Sequence, residues 1–200
     1  MPSCSRRQAR RKSGGSRRTA GFTMVEIVVA IVLMGILAAI AIPRIDVESY
    51  KINSAVRSVT STLLYSQRLA VTLQHDVRVA FDSTNSQLRV HEDANNDGVI
   101  GINERVTFRP FDLGVVFGRG TTPAFTIGTN TFNFTRTQGG LPVVVFRRDG
   151  TVNESGGFYL TTTKSLAQNN QSRTRAAQLI RGSGRVIWQT YATGTWTRGN

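Results

Sequence analysis

The most informative part of this 200-residue chain is residues 21–42, which read GFTMVEIVVAIVLMGILAAIAI. From Phe22 to Ile42 the run holds 21 residues and one charge, the carboxylate of Glu26. About 20 apolar residues in a helix span the hydrocarbon core of a bilayer, so residues 22–43 are predicted to form a transmembrane helix. A carboxylate within such a helix is energetically costly and therefore indicates a functional position.

Positive charge is concentrated at the two ends of the chain. Residues 1–21 carry seven basic side chains and no acid, residues 22–154 carry twelve of each sign, and the last 46 residues carry six basic side chains and no acid. Basic residues before an apolar segment favour a cytoplasmic N-terminus, with the rest of the chain outside. The single cysteine, Cys4, excludes an intramolecular disulfide and a cysteine-based metal cluster. His75 and His91 have no recognisable ligand spacing and are expected at the surface or at a helix end.

The segment Gly21-Phe22-Thr-Met-Val-Glu26 closely resembles the processing site of type IV pilins and type II secretion pseudopilins. The resemblance implies that prepilin peptidase cuts between Gly21 and Phe22, removes the basic leader 1–21 and methylates the new amino group of Phe22. It also implies that the carboxylate of Glu26 meets the terminal amine of a neighbouring subunit during filament assembly. Pro43 lies where pilins commonly have a proline that kinks the helix.

Two other interpretations of the apolar segment are a secretory signal peptide, with cleavage at Ala39-Ile-Ala41, and a plain uncleaved membrane anchor. The apolar region of a signal peptide is about 7–15 residues long and carries no carboxylate. Neither alternative accounts for Glu26, so we favour the prepilin interpretation.

Beyond Pro43 the apolar residues follow the spacing of an amphipathic helix, which predicts a helical continuation over 44–75. The predicted apolar stripe is Ile45, Ile52, Val56, Val59, Leu63, Ala70 and Leu73. From residue 76 the period becomes two, which predicts an extracytoplasmic β-rich domain over 76–200. No helix-length crossover follows a predicted strand, so the sheet should be largely antiparallel. The expected fold is α+β, with a long N-terminal helix, membrane-embedded in its first half, packed on this domain.

This organisation resembles the H-type minor pseudopilins of type II secretion and the FimT-like minor type IV pilins. The resemblance implies a non-catalytic structural subunit of a pseudopilus or pilus-like filament at the inner membrane. Its N-terminus would be cytoplasmic, its C-terminal domain periplasmic, and its partners other pseudopilins or pilins and the prepilin peptidase. The alternative is a DNA-binding minor pilin that serves DNA uptake.

Residues 93–104 match the pattern of a calcium-binding loop, with oxygen donors at Asp93, Asn95 and Asp97 and a carboxylate at Glu104. The flanking residues alternate like strands, whereas such a loop normally joins two helices. Loops rich in Asn, Asp and Gly are also ordinary turns. We therefore expect a turn and keep calcium as the only cofactor that this sequence suggests.

The basic C-terminal region suggests a possible nucleic-acid surface at Arg181 and Arg185, because arginines contact phosphates and aromatic rings stack on bases. The neighbouring aromatic residues are Trp188, Tyr191 and Trp196. DNA-binding FimT-like pilins carry a glycine-arginine-any-arginine motif here, and in this chain Ile187 replaces its second arginine. DNA is therefore not the favoured partner, and Arg57 on the predicted helix should play no part in binding it.

Overall fold

The computed structural model of the chain describes residues 21–41, 47–112 and 114–199. The chain divides into two compact units, Met1–Ile45 and Asp46–Asn200. Most of the basic leader and Pro43 lie outside the described residues, so the cytoplasmic leader and the kink at Pro43 stay predictions.

The described part of the first unit contains one helix, α1, which spans Met24–Ala41. Its 18 residues extend over about 27 Å at 1.5 Å per residue. Every described side chain in α1 is exposed, and all except that of Glu26 lack a charge. Within the described parts of the chain, no helix is both long and apolar enough to cross a membrane.

The second unit begins with α2, Val47–Leu73, which turns one face toward the protein core. The buried residues of this helix are Ile52, Ala55, Val59, Leu63, Ser66 and Ala70. Of the predicted stripe, Ile45 lies outside the described residues, Val56 is half-buried, and Leu73, the last residue of α2, is exposed. The polar Ser66 fits in the core because its hydroxyl donates to the Thr62 carbonyl oxygen at 2.9 Å.

The described residues of the second unit form ten strands in two sheets. The strands are β1 (Asp76–Asp82), β2 (Gln87–Asp93), β3 (Val106–Pro110), β4 (Val115–Phe117), β5 (Thr137–Gln138), β6 (Leu141–Phe146), β7 (Gly156–Thr162), β8 (Arg175–Leu179), β9 (Val186–Ala192) and β10 (Thr195–Arg198). A short helix α3 (Thr163–Ala167) and a 3₁₀ turn (Gln171–Arg173) lie between β7 and β8.

Every strand pair in both sheets is antiparallel. The first sheet has the order β3-β2-β1-β6-β5 and the second the order β10-β9-β8-β7-β4. In the first sheet Asp76 is opposite Asp93 and Asp82 is opposite Gln87, so β1 and β2 form a hairpin. The predicted α+β class, with an N-terminal helix and a C-terminal antiparallel β domain, is confirmed.

The core of the second unit lies between α2 and the two sheets. Buried side chains of α2 form one cluster with residues from β1, β6, β7 and β8. Phe81 of β1 and Phe158 of β7 meet at its centre, with ring centroids 4.8 Å apart. The core therefore holds α2 and both sheets together. Because one face of α2 packs in this core, its opposite face points outward, beside β9.

The segment around Phe132 and Phe134 forms a single β-bridge, between Phe132 and Phe158. The segment follows the edge of β7, where the Asn133 N–H donates to the Gly157 carbonyl oxygen at 2.9 Å. It does not extend further because both phenylalanine rings turn into the core against Phe81.

Candidate functional site

The residues of the predicted cleavage site precede α1 and are accessible. Phe22 has 78% of its surface exposed. A Cβ atom added to Gly21 would meet no atom within 4 Å, so the described structure does not itself require glycine there.

Glu26 lies in the first turn of α1, where its backbone N–H donates to Thr23 Oγ1 at 3.2 Å. The Ile27 N–H donates to the Thr23 carbonyl oxygen at 3.2 Å, so Thr23 is the N-cap of α1. Thr23 and Glu26 have the spacing of a capping box, a sequence pattern that marks the start of a helix. The prediction of this helix rested on its apolar residues and did not use that pattern. The Glu26 carboxylate has no ion-pair partner within the described residues and remains available for one outside them.

The N-terminal motif is matched by a known family model. Residues 16–42 match the prokaryotic N-terminal methylation motif. This motif is of the prepilin type, is consistent with a type IV pilin-like protein, and supports a pilin-like or pseudopilin-like subunit. It implies processing by prepilin peptidase and assembly with other pilins. No curated protein and no solved structure matches the chain.

The predicted calcium loop is closed by hydrogen bonds. Asp93 is fully buried, and its Oδ2 atom is 2.5 Å from Arg78 Nε. The backbone N–H groups of Asp97 and Gly98 donate to the Asp93 carboxylate at 3.1 and 3.0 Å. Asn95 Nδ2 donates to Asp97 Oδ2 at 2.8 Å. The Asp93 carboxylate, which occupies the first ligand position of the predicted calcium loop, is therefore already bound by a guanidinium group and two backbone amides.

The last candidate ligand, Glu104, holds the other end of the same loop. Its carboxylate accepts from the backbone N–H groups of Ala94 at 3.0 Å and Gly101 at 2.8 Å, and its Oε2 atom is 2.8 Å from His91 Nε2. The Gly101 amide and then His91 lower the pKa of Glu104 to about 2. Gln138 Nε2 lies 2.9 Å from His91 Nδ1, so Nδ1 accepts and Nε2 carries the proton that is donated to Glu104.

The geometry favours the turn over the calcium site. Within the parts of the chain that the structure describes, no three His, Cys, Asp or Glu side chains are arranged to hold a metal ion. Asp93 binds the guanidinium group of Arg78, and Glu104 accepts a hydrogen bond from His91, so the two carboxylates have different partners. The expectation that His91 lies on the surface was wrong, because its side chain is fully buried in this network.

The two arginines of the predicted nucleic-acid surface do not line the same feature. Arg185 lines a groove of about 960 Å³ between α2 and β9, whereas Arg181 lies outside it. Arg57, which we expected to play no part, lines the groove with Arg185, because the outward face of α2 forms its other wall.

The aromatic residues of the same region are packed against the protein. The Trp188 indole N–H donates to Thr60 Oγ1 at 2.6 Å, and its ring meets that of Phe158 edge-on. Tyr191 is 7% exposed and packs against Trp196, whose indole N–H donates to the Pro123 carbonyl oxygen at 3.1 Å. These contacts hold the rings against the protein, and Tyr191 is buried, whereas Trp188 and Trp196 are half-buried and Trp188 lines the groove.

Proposed function

We propose that this chain is the precursor of a minor pseudopilin, a non-catalytic structural subunit of a type II secretion pseudopilus or a type IV pilus-like filament. The observation that carries the proposal is the prepilin-type methylation motif at residues 16–42, which contains the helix α1, whose described apolar side chains are all exposed. A helix that is apolar on every side requires burial in lipid or in a larger assembly.

In this proposal, assembly begins with cleavage between Gly21 and Phe22, which would leave 179 of the 200 residues. Cleavage creates a cationic amine at the start of α1, one turn before the carboxylate of Glu26. Opposite charges in hydrocarbon stabilise each other strongly once they pair, so each subunit can set the register of the next. The apolar helices pack in the inner membrane and then in the filament core, and Asp46–Asn200 is displayed on the periplasmic side.

The first test is the mature N-terminus, measured by mass spectrometry on the chain produced in a host with prepilin peptidase. We expect methylated Phe22 as the first residue. A chain that still begins at Met1, or one that begins at Ile42 after the Ala39-Ile-Ala41 site, would refute the proposal.

The second test separates processing from assembly. Glu26→Ala should be cut and methylated normally, because the carboxylate acts between subunits, yet it should enter sheared filament fractions poorly. The unsubstituted chain is the reference for both processing and incorporation. Incorporation of Glu26→Ala equal to that of the unsubstituted chain would contradict the assembly role.

A DNA-binding minor pilin is the second candidate, and the place of Arg185 in an arginine-lined groove favours it. Two observations weigh against it, since Arg181 lies outside that groove and the nearby aromatic rings are packed. If duplex DNA were the ligand, the logarithm of affinity would fall with the logarithm of salt at a slope of about −0.9 per phosphate contacted. Arg185→Ala should then flatten this slope by about one unit. Affinity that changes with neither salt nor Arg185→Ala would exclude this candidate.

A further inference from the structure

The groove between α2 and β9 is open along the outward face of the helix. Its α2 wall extends from Asn53 to Arg68, about 22 Å at 1.5 Å per residue. Its opposite wall comes from β9, the end of β10 and Arg175 of β8. The groove thus lies wholly within the second unit and is separate from the N-terminal motif.

The charged groups of this groove all have one sign. Its arginines are Arg57, Arg68, Arg175, Arg185 and Arg198, and no acidic side chain lines it. Within the described residues, none of the five has an ion-pair partner. Arginine rather than lysine at every position favours planar acceptors, because a guanidinium group binds a carboxylate or phosphate through two parallel hydrogen bonds.

Arg175, which contributes to the wall of the groove, is a buried charge without a counter-charge. It is 7% exposed, and burial lowers its pKa. Its guanidinium donates to the carbonyl oxygens of Ser172 at 3.0 Å and Thr174 at 3.2 Å and to Asn53 Oδ1 at 3.2 Å. All three partners are neutral. Burying a charge is costly unless an opposite charge compensates it, so an anionic group in the groove would relieve this cost.

The remaining surface of the groove is largely apolar. Val56 and Leu64 contribute from α2, and Val186 and Ile187 contribute from β9. Leu64 and Tyr65 are 39% and 49% exposed, so apolar and aromatic surface remains uncovered beside the arginines. A phosphate backbone gains little from aliphatic walls, whereas a polypeptide segment with carboxylates on one side and apolar residues on the other matches both features.

We propose that this groove binds an acidic, amphipathic polypeptide segment of a partner protein. Carboxylates of the segment pair with the arginines at the rim, and its apolar side chains cover Leu64 and the walls near Val56 and Val186. Trp188, held by Thr60 and Phe158, adds a half-buried aromatic surface to the lining of the groove. This interaction is independent of the filament role, since it uses none of the N-terminal residues.

The test uses the full chain in a nonionic detergent and a fluorescently labelled peptide about four helical turns long, with glutamates on one face and leucines on the other. We expect saturable binding, measured by fluorescence anisotropy, that weakens as salt increases. Arg57→Gln and Arg185→Gln should each raise Kd by about two- to fivefold, and the double variant by roughly tenfold. Arg181→Gln is the matched control, because it removes the same charge from an exposed site outside the groove, and it should leave Kd unchanged.

Three further ligands decide between occupants of the groove. A peptide with glutamine in place of glutamate, and one with serine in place of leucine, should both bind more weakly than the original. Tighter binding of a polythymidine oligonucleotide than of the acidic peptide would overturn the proposal in favour of nucleic acid. An equal loss of affinity in Arg181→Gln and Arg185→Gln would overturn it too, because the attraction would then depend on the net charge of the protein and not on the groove. Failure of this test leaves methylation of Phe22 unaffected, so the two proposals fail separately.

Discussion

Two adjacent leucines of α2 test which face of this helix supports the protein core. Leu63 is fully buried in the cluster that joins the two sheets, and Leu64 is 39% exposed in the groove. We expect Leu63→Ala to destabilise the second unit severely and Leu64→Ala to destabilise it mildly, although the chemical change is identical.

The magnitudes follow from burial. Truncating leucine to alanine removes about three methylene equivalents, worth about 2.4 kcal/mol of transfer free energy when all are buried. At Leu63 the residual cavity adds to this term, so the total should be about 3–5 kcal/mol. At Leu64 about three fifths of the side chain is buried and the groove is open to solvent, so no closed cavity forms and the loss should be about 1.5 kcal/mol.

The assay is thermal unfolding of the full chain in detergent, followed by tryptophan fluorescence. Both tryptophans of the chain, Trp188 and Trp196, lie in the second unit, so the signal reports on that unit alone. One kcal/mol corresponds to a Tm shift of roughly 2–4 °C for a domain of this size. Tm should therefore fall by roughly 6–20 °C in Leu63→Ala and by roughly 3–6 °C in Leu64→Ala. A loss in Leu64→Ala as large as that in Leu63→Ala would refute the assigned orientation of α2.

Glu104 has a folded-state pKa of about 2, below its ordinary 4.5, so its contribution to the free energy of unfolding is present above about pH 4.5 and is lost as pH falls toward 2. In urea titrations at several pH values, Glu104→Gln should lose this pH dependence. An acid dependence that Glu104→Gln leaves unchanged would contradict the hydrogen-bond network around Glu104. Calcium should leave Tm equal to that in chelator, because Arg78 holds the Asp93 carboxylate, and a calcium-dependent rise in Tm that Asp93→Asn removes would restore the metal site. Gly157→Ala should cost about 1–3 kcal/mol in the same denaturation assay, because its Cβ would collide with a backbone carbonyl oxygen of β8. Gly182→Ala, whose Cβ meets no atom within 4 Å, should be neutral, and equal losses in the two variants would contradict this packing.

The parts of this fold that could be predicted from the sequence depend on local patterns. The motif around Gly21 and Glu26 is contiguous, and the family match covers the same residues. The spacing of apolar residues indicated α2, yet it placed Val56 and Leu73 in the stripe instead of Ala55 and Ser66. Hydrophobicity alone cannot show that a small residue and a satisfied hydroxyl suit the close approach of a helix to two sheets.

The loop at 93–104 shows why a correct pattern led to two possible structures. The oxygen-bearing residues are where a calcium loop needs them, but the chemistry of the loop depends on Arg78, which lies 15 residues before Asp93. Strand pairing places Arg78 opposite His91, so both side chains reach the loop from the neighbouring strands. Long-range pairing of this kind leaves no signal at the motif itself, so His91 could not be recognised as a buried partner of Glu104.

The groove could not be predicted for the same reason, and its composition includes Arg57, a residue that the sequence analysis had set aside. Charge counts drew attention to Arg181 and Arg185 because they are close in sequence, whereas the groove is lined by Arg185 and by Arg57, 128 positions earlier, and not by Arg181. Arg57 sits on the outward face of α2 because the opposite face packs in the core. A charge-neutral middle region therefore supplies one wall of a basic groove and a basic C-terminal region supplies the other. Binding that depends on Arg57 but not on Arg181 would show that three-dimensional placement, rather than the charge of the C-terminal tail, creates this site.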